Sequence, residues 1–289
     1  MNVKVYTLNS FAKTAVGGNE AGVVIDANSL TESEMRKIAA LIGFSETAFV
    51  LHSDIADYKV RFFTPKEEVD LCGHATIATF FTLATLGLIK SGQYRQETKA
   101  GVLGIEVKAD YSIMMNQSLP TFSEILDKAE IADSLNIDLL QILQDLPVQI
   151  ISTGLRDIII PVTSLNALKS INPDYDKIKN ISSKYNAVGY HVFTLESEEG
   201  ANASCRNFAP LYDIPEESAT GTSNGALGCY LYEHGVIDKS QTTTLIFEQG
   251  YSMNKPSEIR VIIGIKENEI IEVKVGGNAV NLNCVTLDI

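Results

Sequence analysis

Residues 61–87 read RFFTPKEEVDLCGHATIATFFTLATLG, and residues 206–235 read RNFAPLYDIPEESATGTSNGALGCYLYEHG. Each stretch opens Arg-x-Phe-x-Pro, passes an acidic patch, reaches a turn of small residues and continues as a largely uncharged segment closed by glycine. Gly73 and Gly87 are fourteen residues apart, and so are Gly221 and Gly235. A further glycine follows in each copy, Gly101 after fourteen residues and Gly250 after fifteen. The copies differ mainly by three extra residues between the proline and the turn. Two copies separated by about half the chain point to a duplicated domain rather than a solenoid array. Duplication places two equivalent loops across one cleft, so the cleft is where the chemistry is expected.

The 289 residues suffice for two domains of ordinary size. A hydrophobic content of 45% with 20% charged residues is that of a soluble globular protein. The net charge of −13 comes without a basic cluster, which argues against nucleic-acid binding. The opening MNVKVYTLNSFAK lacks the apolar core of a secretion signal. Residues 71–89 carry no formal charge, yet hold His74 and four threonines, and read as a buried core helix with its turn rather than a membrane span. The four cysteines show no CxxC spacing, which suggests a cytoplasmic, reduced protein without structural zinc.

Strands are expected at residues 4–8, 47–51 and 58–63. Thr31 with Glu34 forms a capping-box pattern that opens a helix with apolar positions Met35, Ile38, Leu41 and Ile42. Residues 98–107, broken at Ala100-Gly101, read as a hairpin. Residues 118–147 are acidic, match nothing elsewhere in the chain and read as a helical connection between the halves. A second series of strands and helices starts near residue 150. The expected class is α+β, with two pseudo-symmetric lobes, each a mixed sheet wrapped around a central uncharged helix. The first lobe is expected to cover residues 1–117, joined by a final strand at 278–289, and the second residues 118–277.

Both repeated turns, Cys72-Gly73-His74-Ala75 and Thr220-Gly221-Thr222-Ser223, precede a helix. Helix N-termini expose unpaired N–H groups and a positive dipole end, so two such turns in one cleft suit a carboxylate. Ordinary helix entry, with glycine for the turn and Ser or Thr as cap, explains either turn alone but not its repetition. His74, near Asp70 and Glu68 in sequence, suits a proton carrier or anion donor. Glu46 is a single carboxylate among apolar residues, where burial is expected to raise its pKa into the range of general acid/base work. Glu216-Glu217 reads equally well as an exposed acidic pair. Cys72 and Thr220 hold equivalent positions, and threonine is no base near neutral pH, which argues against two-thiol racemisation. Metal binding is disfavoured because Cys72-x-His74 offers two ligands and nothing near in sequence completes the site. Residues 17–22 are glycine-rich without a P-loop ending or a GxGxxG register, so nucleotide binding has no support.

Several of these residues occur in a characteristic order. Gly18-Asn19 is followed by Ser45-Glu46-Thr47-Ala48-Phe49, then Phe63-Thr64-Pro65 with the segment VDLCGHAT at 69–76, then Phe208-Ala209-Pro210 with Glu217 to Thr222. The chain thereby resembles the phenazine-biosynthesis PhzF-like family, which shares the diaminopimelate epimerase fold. The resemblance implies a cofactor-independent isomerase, with no metal, whose active site lies between two lobes. It implies that Glu46 is the general acid/base and that His74 and Glu217 take part in catalysis. Gly73, Gly221, Thr222 and Asn19 are then substrate-binding. A homodimer is also implied. Three departures stand out: Glu217 replaces an aspartate, Thr222 replaces a serine, and the usual Gly-Asn-Pro opening is Gly18-Asn19-Glu20. A carboxylate displaced by ~1 Å costs on the order of a hundredfold in rate, which argues against the phenazine substrate itself while leaving the reaction class intact.

The expected function is therefore proton-transfer isomerisation of a small carboxylate-bearing metabolite, without nucleic-acid or membrane partners. The alternatives are an epimerase or racemase that depends on Cys72, and a non-catalytic protein that binds small anions on the same fold.

Overall fold

A computed structural model describes residues 1–289. The chain packs as two compact units, Met1–Asn116 with Gly276–Ile289, and Gln117–Val275. The first unit contains β1 (Asn2–Ser10), β2 (Asn19–Val24), α1 (Glu32–Ile42), β3 (Glu46–Leu51), β4 (Tyr58–Phe63), β5 (Glu68–Val69), α2 (Gly73–Thr85), β6 (Gly92–Thr98), β7 (Gly101–Val107) and β8 (Ile113–Asn116). The second contains β9 (Thr121–Leu126), α3 (Lys128–Leu135), β10 (Val148–Ser152), β11 (Arg156–Pro161), α4 (Leu165–Ser170), α5 (Tyr175–Lys184), β12 (Gly189–Thr194), β13 (Ala203–Ala209), β14 (Ile214–Glu217), α6 (Gly221–Glu233), β15 (Thr243–Gln249), β16 (Ser257–Lys266) and most of β17 (Glu269–Gly277). The final strand, β18 (Ala279–Asp288), returns to the first unit.

Strand pairing repeats between the units. In the first, β18 pairs antiparallel with β1, β1 antiparallel with β2, β2 parallel with β3, β3 antiparallel with β4, β4 parallel with β6, and β6 antiparallel with β7. In the second, the same series runs β9, β10, β11, β12, β13, β15 and β16. The short strands β5 and β14 fold back on β4 and β13 in the same way. Each parallel step is a crossover that holds helix, α1 and then α2 in one unit, α4 with α5 and then α6 in the other. The architecture is α+β, with a mixed sheet in each unit.

Alternation along the strands of the first unit separates two apolar faces. Leu8, Val23, Ala48, Val60 and Phe62 pack with Ala75 and Ala78 of α2. Val5, Val24, Phe49 and Phe63 pack with Met35 and Ile38 of α1. Each large side chain buried this way contributes roughly 1.5–3 kcal/mol. Helix α2 lacks a polar face because strands surround it: it contacts β1, β2, β3, β7, β8 and β18. Its buried threonines satisfy themselves, since Thr76, Thr79 and Thr82 each donate to the carbonyl four residues back at 2.8 Å. No helix is long and apolar enough to cross a membrane. In the second unit, α6 contacts β10, β11, β12 and β16, and β11 is buried throughout Ile158, Ile159 and Ile160.

The glycines that close the repeats have one job. Gly87 (φ 71°) and Gly235 (φ 69°) are left-handed residues just past the two thirteen-residue helices. Each donates its N–H three residues back, to Ala84 and Tyr232, while the next residue bonds Leu83 or Leu231. This is the same C-terminal closure twice.

Three expectations need correction. Residues 118–147 are only partly helical, with α3 preceded by a strand. They begin with β9, which pairs along β10 as β18 pairs along β1, so the segment does have a structural counterpart. Its exposed polar residues are those of an edge strand, not of a helix face. Leu41 is 54% exposed and lies off the buried face of α1, which uses Ala39 beside Met35 and Ile38. The pair Glu216-Glu217 is not freely exposed. Arg206 grips Glu216 with two bonds of 2.9 and 2.8 Å, and Arg61 grips Glu68 with two of 2.7 Å. Both arginines also stack on the phenylalanine two residues on, at 4.9 and 5.1 Å. The repeated Arg-x-Phe and its acidic patch thus fasten β5 to β4 and β14 to β13.

Candidate active site

Glu46 opens β3, where parallel pairing sets it against Ala21 of β2. His74 is the second residue of α2, and Ser10 at the end of β1 donates to its carbonyl at 2.7 Å. The second unit repeats that clasp: Thr153, just past β10, donates to the carbonyl of Thr222 at 3.2 Å. The carboxylate and the imidazole, 28 positions apart, meet at 3.2 Å between Glu46 Oε2 and His74 Nε2. His74 thus faces Glu46, whereas Glu68 is engaged by Arg61 and Lys99.

Four further contacts surround the imidazole. Asn19 Nδ2 lies 3.2 Å from Nδ1, and Ser45 Oγ lies 3.3 Å from Nε2. Cys72 Sγ lies 3.4 Å from Nδ1 and 3.8 Å from Nε2. Cys72 and His74 are 7% and 5% exposed, and the Glu46 side chain 16%. Glu46 Oε2 is buried and makes no aligned hydrogen bond.

The ionisation of this cluster reverses one expectation. Burial pushes the Glu46 carboxyl up, but hydrogen bonding and charge from His74, with help from Ser45 and Cys72, outweigh it and leave it below the ordinary 4.5. Burial pushes Cys72 above its ordinary 9.0, and the Glu46 charge adds to this, so the sulfur is a thiol at neutral pH. Burial alone would lower His74; Cys72 and Glu46 instead hold it well above 6.5. Glu46, a carboxylate at neutral pH, is the partner charge that His74 faces at 3.2 Å. Near neutrality the shifts favour a Glu46 carboxylate facing a His74 imidazole biased toward its protonated form. Metal binding also looks different here, because Glu46 supplies the third donor that the Cys72-x-His74 spacing lacks.

In the second unit, Thr220 donates to Glu217 Oε2 at 2.6 Å, and Gln249 bonds both the Glu217 carbonyl and Thr220 Oγ1. Gly221 and Ser223 are buried, while Thr222 is half-buried. Neither N-cap side chain, Cys72 or Thr220, caps its helix. That is unlike α1, where Thr31 and Glu34 form the expected capping box. Thr47 pairs with Phe63 and Tyr190 with Phe208, so the position equivalent to Glu46 is Gly189. A Cβ there would collide with the Phe208 carbonyl oxygen. The second unit therefore has no counterpart of Glu46. A cavity of about 370 Å³ in that unit is lined by Lys169, Glu198, Glu248, Tyr251 and neighbours and includes none of these residues. Lys169 and Glu198 there already pair at 2.5 Å.

The family model for phenazine biosynthesis-like proteins (PhzC-PhzF) matches residues 8–283. The chain belongs to that family. An uncharacterized isomerase of Clostridium acetobutylicum is 36% identical, with 96% of this chain and 95% of the relative covered. The trans-2,3-dihydro-3-hydroxyanthranilate isomerase of Pseudomonas fluorescens is 27% identical over 94% of this chain and 95% of its own. A PhzF-family phenazine biosynthesis protein of Bacillus anthracis matches in structure with a TM-score of 0.91 and 32% identity over the whole of both chains. This PhzF-family chain is an isomerase.

Sequence reasoning placed Glu46, His74 and Asn19 in the site, and the first unit brings all three together. It did not single out Ser10, whose hydroxyl fixes the turn, or assign a role to Ser45, whose hydroxyl faces His74. Ser45 adjoins Glu46 in sequence, and that adjacency was the available signal. Ser10 had none, because its contact crosses 64 residues.

Proposed function

We propose that this isomerase moves a proton on a small carboxylate-bearing metabolite without a metal or organic cofactor. Glu46 takes the proton from carbon as a carboxylate and returns it to another position, so the substrate's atoms are conserved. His74, as imidazolium, holds the Glu46 charge and sets a positive charge beside negative charge that develops on the substrate. Gly73 and Asn19 bind substrate beside it, and Gly221, Thr222 and Glu217 are assigned to substrate handling from the family resemblance. The observation that carries the reading is the buried Glu46 oxygen beside His74, with no aligned hydrogen bond and no counterpart in the other repeat. The named activity of the Pseudomonas fluorescens relative supports cyclic hydroxy- or amino-carboxylates as the class to try first.

The test is a panel of such acids incubated with the protein in D₂O and followed by NMR. An accepted substrate gains deuterium at carbon, and Glu46→Gln slows this by about 10²–10⁴-fold. Undiminished turnover in that variant would remove Glu46 from the role of base. The thiol alternative is separated by Cys72→Ala, which the glutamate mechanism tolerates and a Cys72-dependent epimerase does not. Tight anion binding without solvent exchange across the panel would favour the binding-protein alternative.

A further inference from the structure

Glu46, Cys72 and His74 offer three different donor types within one small volume, all within 4.8 Å of one another. We propose that these three side chains form a binding site for a thiophilic divalent cation of the zinc type, and that the bound cation takes Glu46 and His74 out of proton transfer. Zinc binds Cys sulfur at about 2.3 Å and His nitrogen or carboxylate oxygen at about 2.0–2.2 Å, so tetrahedral geometry puts neighbouring donors roughly 3.3–3.6 Å apart. Glu46 Oε2 to His74 Nε2 is 3.2 Å, and Cys72 Sγ to the same nitrogen is 3.8 Å. The Glu46–His74 edge is near its required length, while Cys72 Sγ, 3.4 Å from Nδ1 and 3.8 Å from Nε2, lies beside the ring and turns toward Nε2 to ligate there. All three donors lie within 4.8 Å of one another, so side-chain rotations close the remaining edges.

Three features suit the site to a metal. Glu46 Oε2 is buried 3.2 Å from His74 Nε2 without an aligned hydrogen bond, so a cation held between the two can take the place of the proton there. Asn19 lies 3.2 Å from His74 Nδ1, the nitrogen that a metal bound at Nε2 leaves free. With its amide turned to present the oxygen, it accepts the Nδ1 proton and fixes the tautomer that ligates through Nε2. Three protein ligands leave one vertex open for water or an anion, as in catalytic zinc sites.

The exchange balances. The cation enters as two protons leave to solvent, one from the Cys72 thiol and one from His74 Nε2, so the site's net charge is unchanged and no uncompensated charge is buried. A sulfur, nitrogen and oxygen donor set favours Zn²⁺ over Mg²⁺ or Ca²⁺.

The inhibitory consequence rests on Glu46 as the acid/base, but the binding does not, and the binding is read without turnover. Co²⁺ titrated into the full chain should produce a thiolate-to-cobalt charge-transfer band in the near ultraviolet, which Zn²⁺ abolishes by displacement and Mg²⁺ leaves intact. Cys72→Ala should eliminate the band and weaken Zn²⁺ binding at least a hundredfold, and Glu46→Gln at least tenfold. Cys284→Ser, at the exposed cysteine, should leave both unchanged. Zn²⁺ should raise the Tm of wild type and not of Cys72→Ala, and circular dichroism confirms that each variant is folded. Absence of the band, or its persistence in folded Cys72→Ala, would overturn the site. Zn²⁺ binding that leaves deuterium exchange on an accepted substrate at full rate would overturn the inhibition alone.

Discussion

Glu46 and His74 set each other's protonation, which fixes the sign of two pH effects. Glu46 lies below 4.5 and His74 well above 6.5, so the carboxylate–imidazolium pair fills the window between the two perturbed values. The expected kcat/KM profile is flat through neutrality, with an acid limb set by the lowered Glu46 and an alkaline limb set by the raised His74, measurable on any accepted substrate. For stability, the Glu46 contribution is present above its unfolded value and lost as pH falls through its lowered folded value. The His74 contribution is full below 6.5 and lost as pH rises through its raised one. Asp157 in the second unit runs the other way. It is 2% exposed, accepts from Ser223 at 2.8 Å, and is pushed up from 3.8 to about 7 by burial, against the Ser223 bond and with help from Glu217. Its unfolded form loses the proton first, so wild type loses stability as pH rises from 3.8 to about 7. Asp157→Asn should remove that slope and be the more stable protein at pH 8, by on the order of 3 kcal/mol, in denaturation curves at pH 4 and pH 8.

At the scale of the element, the two repeats divide into what packing needs and what chemistry needs. Gly87 and Gly235 close their helices alike, and a Cβ at either would meet nothing within 4 Å. Alanine there therefore costs backbone strain alone. Gly87→Ala and Gly235→Ala should each lower unfolding free energy by about 1–2 kcal/mol, with isomerase activity unchanged, as read by urea denaturation. These glycines and the Arg-x-Phe clamp were legible because they recur at fixed spacing. The strand β9 was not legible. Its alternation is weak because it is an edge strand with little buried surface, and the acidic residues of α3 just behind it make the whole segment read as helical. Leu41 was misjudged for a related reason: an apolar residue at helical spacing carries no information about where the buried stripe ends.

Across the whole molecule, the chain's end completes its beginning. β18 pairs with β1 from Asn2 to Ser10, and Ala279 packs in the same apolar cluster as Leu8 and Ala75. Removing residues 278–289 leaves β1 as a bare edge beside the Glu46–His74 site. The truncated chain should show early proteolysis within residues 1–116 while residues 117–275 resist, as limited digestion with mass spectrometry would reveal. The duplication, the two helix entries and the singularity of Glu46 follow from the sequence by itself, because spacing and residue type are local properties. Only the tertiary structure decided that Glu46 meets His74 rather than solvent, and that the position equivalent to Glu46 is a glycine with no room for a side chain. It also decided the direction of the Glu46 pKa. Burial is readable from apolar neighbours in sequence and argues for a raised value. The opposing charge of His74 arrives through the parallel register of β2 with β3 and the seating of α2 by Ser10, and at 3.2 Å it outweighs the cost of burial.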